Sequence, residues 1–298
     1  MSEHNKKGNY PKKEINMKKL FVMLLALMLG ATCLFGTTAC FGGNDDTIIV
    51  YTNAFFAPFE YYDGTEIKGV DIDIMNKVGN KLGKKIEFKN VEFSTIIDSV
   101  AEGKVCDAGA AGITVTEERE AKVDFSTKYY KSVQYVIYKA GTMTTHTATD
   151  GTECIYWSEL ANKKIGVQLD TTGHIYVDIE INGDGPDYPG ELAGSDATCT
   201  PFENAQLAAD AIGANQMDVV VVDELPAQFI CSKNAQYECA ALYYDADTAT
   251  EEEYAICVTK GNDELLTAIN QVLAELLVED NNGESGIIKL VKQHMGLN

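Results

Sequence analysis

A chain of 298 residues, 45% hydrophobic and 23% charged, is long enough for one large domain or two α/β lobes with cores of their own. Its net charge is −21, and beyond residue 39 it carries 18 basic against 43 acidic side chains, a balance that disfavours nucleic acid and anionic lipid head groups as partners. The four histidines are scattered and no Cys-x-x-C occurs, so neither a zinc site nor any other metal or cofactor is expected.

At the N-terminus, Lys18 and Lys19 precede an uncharged run over 20–36, and small residues lead through Thr37, Thr38 and Ala39 to Cys40. A charged region, an apolar region and a small-residue site in that order read as an export signal. About 17 apolar residues are marginal for crossing a bilayer, and no stop-transfer cluster follows them. Residues 1–39 are therefore expected to be a signal peptide, with 1–16 an extension if Met17 is the natural start. Cys40 stands where a bacterial lipobox carries its lipid, although Thr37 replaces the usual leucine, and Cys33 is the poorer alternative. Residues 40–46 then form a lipidated tether, and the protein is extracytoplasmic and anchored to the cell membrane.

Residues 47–51 read as the first strand. Ile74, Val78 and Leu82 fall four apart within 69–82, one face of an amphipathic helix. A strand over 85–88 and a helix over 94–102, with Ile97, Val100 and Ala101 inward, continue an alternation that argues for a parallel sheet. Residues 133–138 form a strand and 141–152 a polar, Thr-rich loop. Trp157 packs just ahead of a helical turn opened by Ser158.

A second alternating series starts at 164–168 and echoes the first. Residues 94–114 run helix, Gly103, Asp107, small apolar strand, then Gly112 and Thr114; residues 204–224 run helix, Gly213, Asp218, Val219 to Val222, then Asp223 and Glu224. Open α/β sheets hold ligands at the carboxyl ends of such strands, so two units suggest two lobes facing a common cleft. Residues 182–197 read as a solvated surface loop. Leu265, Ile269, Val272, Leu276 and Leu277 mark a closing amphipathic helix, and 286–296 a last one. Cys106 and Cys257 sit in apolar runs and read as core residues. Export permits disulfides, and Cys231 with Cys239 is the leading local pair.

Four ordered segments carry a specific resemblance. They are Thr52-Asn53-Ala54-Phe55-Phe56-Ala57-Pro58-Phe59-Glu60-Tyr61, Gly69-Val70-Asp71-Ile72-Asp73-Ile74, Ala111-Gly112-Ile113-Thr114-Val115-Thr116-Glu117-Glu118-Arg119, and Val123-Asp124-Phe125-Ser126 with Tyr129-Tyr130. Lys164-Ile165-Gly166-Val167-Gln168, Thr171-Thr172-Gly173 and residues 218–223 match more loosely. Together they resemble the amino-acid-binding family (family 3) of bacterial extracellular solute-binding proteins, over roughly 47–298. Val70 departs from the larger residue usual at its position, and the 182–197 loop is longer than typical.

The resemblance implies an α/β, two-lobed periplasmic-binding-protein-like fold of type II, with two hinge strands and a ligand cleft between the lobes. Lobe 1 would comprise 46–128 with 256–298 and lobe 2 132–252, joined by crossings at 129–131 and 252–255. It implies a monomer that captures a free amino acid for the permease of an ABC transporter. Physically, such a ligand offers one carboxylate and one ammonium, and a buried site must satisfy both. On spacing alone Arg119 could be an ordinary helix arginine behind the N-cap Thr116; by resemblance it clamps the ligand carboxylate, a task its planar fork suits. Thr114 resembles the family's hydroxyl contact, Gly112 the carbonyl that meets the ammonium, and Thr171 and Thr172 the turn that touches the carboxylate from lobe 2.

Asp223 ends an apolar strand, where an acid either caps the next helix or pairs with a buried cation; the resemblance assigns it to the ammonium. Phe56 and Phe93 align with aromatics that sandwich the ligand side chain, against core packing as the plainer role. Asn53 and Gln168 fall where the side-chain tip is read. Both are neutral and no acid is visible beside them, which favours a polar or neutral ligand. Asp71 and Asp73 read as helix-start residues that stabilise the lobe. Two rival functions are an enzyme on the same fold (dehydratase-like) and a sensory module. The first lacks a visible nucleophile–base pair, and the second lacks the membrane and signalling segments it would need.

Overall fold

The computed structural model describes residues 46–297, so the predicted signal peptide, Cys33 and Cys40 lie outside the described residues. Strand Thr47–Thr52 opens the first sheet, pairing in parallel with Lys85–Asn90 on one edge and with Ala108–Gly109 on the other. Parallel neighbours need crossovers, and here helices Val70–Leu82 and Ile96–Glu102 supply them. Ile74 and Val78 are fully buried on the first helix, as its spacing predicts. On the second Val100 is fully buried, and Ile97 and Ala101 pack half-buried against the same core, as expected; Ile96, fully buried, joins them. A short 3-10 turn, Phe93–Thr95, precedes that helix. Antiparallel strands Cys257–Val258 and Asp124–Phe125 complete this five-stranded sheet.

The second sheet repeats the plan. Lys164–Gln168 lies in parallel between Thr198–Phe202 and Val219–Asp223, with helices Thr172–Asn182 and Ala205–Gly213 in the crossovers. Next come Tyr130–Lys139, antiparallel, and then Tyr237–Asp245, Glu153–Tyr156 and His146–Thr147. The two aspartates of the echoed units do the same work. Asp107 accepts the Ile49 N–H at 2.7 Å and Asp218 accepts the Lys164 N–H at 2.8 Å. Each therefore ties the start of its lobe's central strand to the strand beside it.

Strand Tyr130–Lys139 changes partner along its length. Its first four residues pair with Glu251–Tyr254, and from Gln134 onward it pairs with Val219–Asp223. Phe59, Tyr130 and Tyr254 pack together beside this crossing, with ring centroids 5.0 to 5.8 Å apart. Asp71 accepts the Gly112 N–H at 2.9 Å and the Tyr129 hydroxyl, the stabilising role its position suggests. Asp73 meets His294 on the closing helix Gly286–Met295 at 3.0 Å.

The 182–197 segment forms no helix or strand after Asn182, but it is not merely solvated. Leu192 is 1% exposed. Buried Glu180 accepts the Tyr188 hydroxyl and the Glu191 N–H, both at 2.7 Å, and the Tyr244 hydroxyl at 2.9 Å. A buried carboxylate needs such partners, and the segment folds around it to provide them. Trp157 is fully buried in the second lobe's core. All cysteines of the described residues are free thiols, so the Cys231–Cys239 pair expected from sequence is not bridged. Among the described residues no helix is long and apolar enough to cross a membrane, and no cluster of side chains could hold a metal ion.

Candidate functional site

The carboxyl ends of the parallel strands in both sheets face one small, tightly closed cavity, lined by Asn53, Phe56, Glu60, Phe93, Gly112, Thr114, Gln168, Thr171, Thr172 and Asp223. Nine of the ten ligand-site residues expected from sequence line it; the tenth, Arg119, stands directly behind Phe93, its guanidinium carbon 5.4 Å from the ring centre.

One wall is rich in donors. Thr116 caps the four-residue helix Glu117–Glu120, its hydroxyl accepting the Arg119 N–H at 3.3 Å, and this turn delivers Arg119 to the cleft. Its guanidinium donates to the carbonyls of Thr114 and Asp170, each at 2.9 Å. Five N–H groups sit on that fork, so donors remain for a carboxylate. Burial lowers the Arg119 pKa while the Glu252 charge raises it, and a guanidinium stays cationic in either case. Opposite, Thr171 caps helix Thr172–Asn182 through its hydroxyl, which accepts from the His174 N–H. The first N–H groups of that helix have no intrahelical partner, and its positive end favours an anion.

The other wall is acidic. Asp223 occupies the N-cap position of helix Glu224–Lys233, yet its side chain makes no capping bond. It accepts from Gln134 Nε2 at 2.7 Å and from the Tyr254 hydroxyl. The same Gln134 nitrogen donates to Glu252 at 2.7 Å, and Glu252 accepts the Thr114 hydroxyl at 2.7 Å. Two fully buried carboxylates thus share one amide. Burial raises both their pKa values, and for Glu252 the neighbouring Asp223 charge adds to the rise. Gly112 approaches from below with φ of +54°, and a Cβ there would stand 2.6 Å from the Phe56 ring. Only glycine fits that left-handed turn without displacing the aromatic wall.

Asn53 donates to the Val91 carbonyl at 2.7 Å, which fixes its amide and leaves Oδ1 to accept from Gln168 Nε2 at 3.1 Å. Phe56 both packs in the core and lines the cavity, so its two possible roles coincide. Three bonds cross between the lobes here: Gln168 to Asn53, Arg119 to the Asp170 carbonyl, and Thr114 to Thr172 at 2.7 Å.

The expectation that no acid waits beside Asn53 and Gln168 does not hold. Glu60 lines the cavity, is 0% exposed, and neither of its oxygens has a hydrogen-bond partner. Sequence reading missed it because strand Glu60–Asp63 looks like a polar edge segment; its one inward position is Glu60. Glu252, held behind the cavity by Gln134 and Thr114, was missed for a related reason. It lies in a run of three glutamates that reads as solvated charge, but strand alternation turns Glu252 inward while Glu251 stays exposed.

Residues 48–284 match the model of bacterial extracellular solute-binding proteins, family 3. The chain is 26% identical to the arginine-binding extracellular protein ArtP of Bacillus subtilis over 276 residues, covering 90% of this chain and 95% of that protein. It is also 26% identical to the ABC transporter glutamine-binding protein GlnH of Bacillus subtilis, covering 87% of this chain and 93% of that one. Among solved structures, an ancestral arginine-binding protein bound to glutamine superposes with a TM-score of 0.66 at 31% identity, covering 84% of this chain and 98% of that chain.

Proposed function

The chain belongs to the bacterial extracellular solute-binding proteins, family 3, and on that premise we propose that it captures a free amino acid outside the cytoplasm and hands it to the permease of an ABC importer. The observation that carries this reading is the polarity of one cavity. The N-terminus of helix Thr172–Asn182 lies at its donor wall with Arg119 just behind Phe93, and Asp223 with the Gly112 turn lies at its acidic wall. A zwitterion matches that polarity end to end. Its carboxylate would meet Arg119, Thr114, Thr171 and Thr172, and its ammonium Asp223, Thr114 and the Gly112 carbonyl. Asn53 and Gln168 then favour a hydrogen-bonding side chain, with Phe56 and Phe93 on either side.

The protein binds its ligand without turning it over, as a monomer with no cofactor. Residues 46–128 with 256–298 act as lobe 1 and 132–252 as lobe 2, closing over the ligand about the crossings at 129–131 and 252–255. Export by residues 1–39 and lipid on Cys40 would hold it at the cell membrane beside its permease. The named relatives bind arginine and glutamine, which supports the amino-acid class and leaves the side chain to be set by this chain's own pocket.

Calorimetry tests the clamp once a ligand has been found by a thermal-shift screen of free amino acids. Arg119→Ala or Asp223→Ala leaves a buried ligand charge unpaired, a loss of about 2–5 kcal/mol, or roughly 30- to several-thousand-fold in affinity. Near-wild-type affinity in Arg119→Ala would sink the amino-acid clamp.

A further inference from the structure

We propose that Glu252 carries a proton in the working protein and positions Thr114 as a donor to the ligand carboxylate; this rests on the amino-acid reading above and deepens it. Hydrogen-bond direction shows where a proton can sit. Gln134 Nε2 can only donate, and its two hydrogens go to Asp223 Oδ1 and Glu252 Oε1, each at 2.7 Å. Asp223 Oδ2 is taken by the Tyr254 hydroxyl. Glu252 Oε2 differs, because it meets the Thr114 hydroxyl at 2.7 Å, and a hydroxyl accepts as readily as it donates. A proton held by the pair therefore fits Glu252 Oε2, facing Thr114, and leaves Asp223 charged for the ligand ammonium.

Charge calls for that proton. One amide nitrogen touches both acids, and two buried carboxylates that share one site do not both ionise near neutral pH. The hydrogen bonds they accept come from neutral groups, while the Arg119 guanidinium donates to the Thr114 and Asp170 carbonyls instead. Tyr254 beside Glu252 and Tyr176 on helix Thr172–Asn182 also face it, and neither supplies positive charge. Its strand neighbours Glu251 and Glu253 stand outside the pair and meet Lys131 and Lys128. Burial first and Asp223 second accordingly raise the Glu252 carboxyl well above the ordinary range.

The direction of one bond then decides what the ligand meets. With Glu252 charged, Thr114 points its single hydrogen at Glu252 and can only accept from the ligand. With Glu252 protonated the same contact reverses, and the Thr114 hydrogen is free for Thr172, 2.7 Å away, or for a ligand carboxylate. Thr114 thereby joins Arg119 and the helix N-terminus among the donors. A buried acid kept neutral so that it can donate is a known way to serve an anion.

Infrared spectra of ligand-free protein at pH 7 test the proton: the carbonyl band of protonated carboxyl groups should lose one component in Glu252→Gln. An unchanged band would show Glu252 to be charged and would overturn the proposal. Calorimetry with L-arginine and L-glutamine as probes tests the positioning. Glu252→Leu, which offers Thr114 nothing, should weaken binding roughly ten- to a hundredfold. Glu252→Gln, whose amide can donate as the protonated acid does, should recover most of that loss. In a Thr114→Val background, Glu252→Leu should weaken binding no further, because Glu252 acts through that hydroxyl. Equal losses in the Gln and Leu variants, or a Leu loss that adds to that of Thr114→Val, also overturn it. Should neither probe nor any other free amino acid bind the wild type, the amino-acid reading falls and the positioning role with it, while the infrared comparison still decides the proton.

Discussion

The buried acids should make the ligand-free protein more stable in mild acid than at neutral pH, the reverse of the common acid-sensitive pattern. Asp71 is fully buried, and desolvation pushes its pKa up from 3.8 to about 6, against the opposing bonds from Tyr129 and Gly112. The folded state therefore keeps a proton between about pH 4 and 6 that the unfolded chain gives up. Stability must then fall as pH rises through that window. A shift of about two units corresponds to roughly 3 kcal/mol over the whole window; between pH 5.5 and 8 only about 0.8 kcal/mol of it is lost, or about 2–3 °C in melting temperature for a protein of this size. Glu60, Asp223 and Glu252 shift in the same direction, so they add to the slope. Asp280 opposes them, held down to about 2 by Lys289, but its stabilisation is lost only below about pH 4. Calorimetric or fluorescence melts of ligand-stripped protein at pH 5.5 and 8 give the comparison. Runs at high salt remove surface repulsion, which also eases in acid but is screened. A melting temperature that stays flat or rises from pH 5.5 to 8 at high salt would refute the reasoning. Saturating ligand should shrink the dependence, because its ammonium favours the charged form of Asp223.

The three bonds that join the lobes across the site describe a closed arrangement that ligand should select, so saturating ligand should lower the radius of gyration in solution scattering. Superimposable curves with and without ligand would indicate a rigid site. Cys40→Ala should move the protein from the membrane fraction to the medium or periplasm, since stable anchoring rests on the added lipid chains. A wild type that is already soluble and keeps the residues before Cys40 would remove the lipoprotein proposal.

Regular elements were legible where hydrophobic period and strand length agreed. Strand Lys164–Gln168 was readable to the residue because four consecutive buried positions follow an exposed lysine. Helix Ile96–Glu102 was readable with its inward face, but its first residues form a 3-10 turn, Phe93–Thr95, that nothing in the sequence announces. The donor wall was legible through motif and cap: Thr116 and Arg119 are close in sequence and their relation is local. The acidic wall was only half legible. Asp223 ends a run of four valines, so its burial follows from its neighbours. Glu60 and Glu252 lie in polar segments, and their burial comes from tertiary contacts made by a three-stranded ribbon and by the returning crossing strand. The 182–197 segment is the mostly exposed loop its composition predicts, but its inner anchor stayed hidden for the same reason. Its polar composition hides Leu192, and the carboxylate that organises it, Glu180, belongs to the preceding helix.

The repeated halves explain why the site has two unlike poles and why closure acts on them. Each lobe ends its third parallel strand at the cleft, so the repeat brings two strand termini to one place. The first delivers Gly112, Thr114 and then Arg119, while the second delivers Asp223, so equivalent backbone positions present opposite charge. Tyr130–Lys139 then changes partners between Val133, paired with Glu251, and Gln134, paired with Asp223. Both residues of that change lie in lobe 2 as proposed above, just past the 129–131 crossing. Gln134 is 0% exposed, and its single amide nitrogen holds both Asp223 and Glu252. If the lobes close about the proposed crossings, Glu252 stands at the second of them and the shared amide ties it to Asp223. An ammonium placed beside Asp223 would alter the charge that Gln134 balances, and through that amide the ligand would act on the crossing without a longer relay.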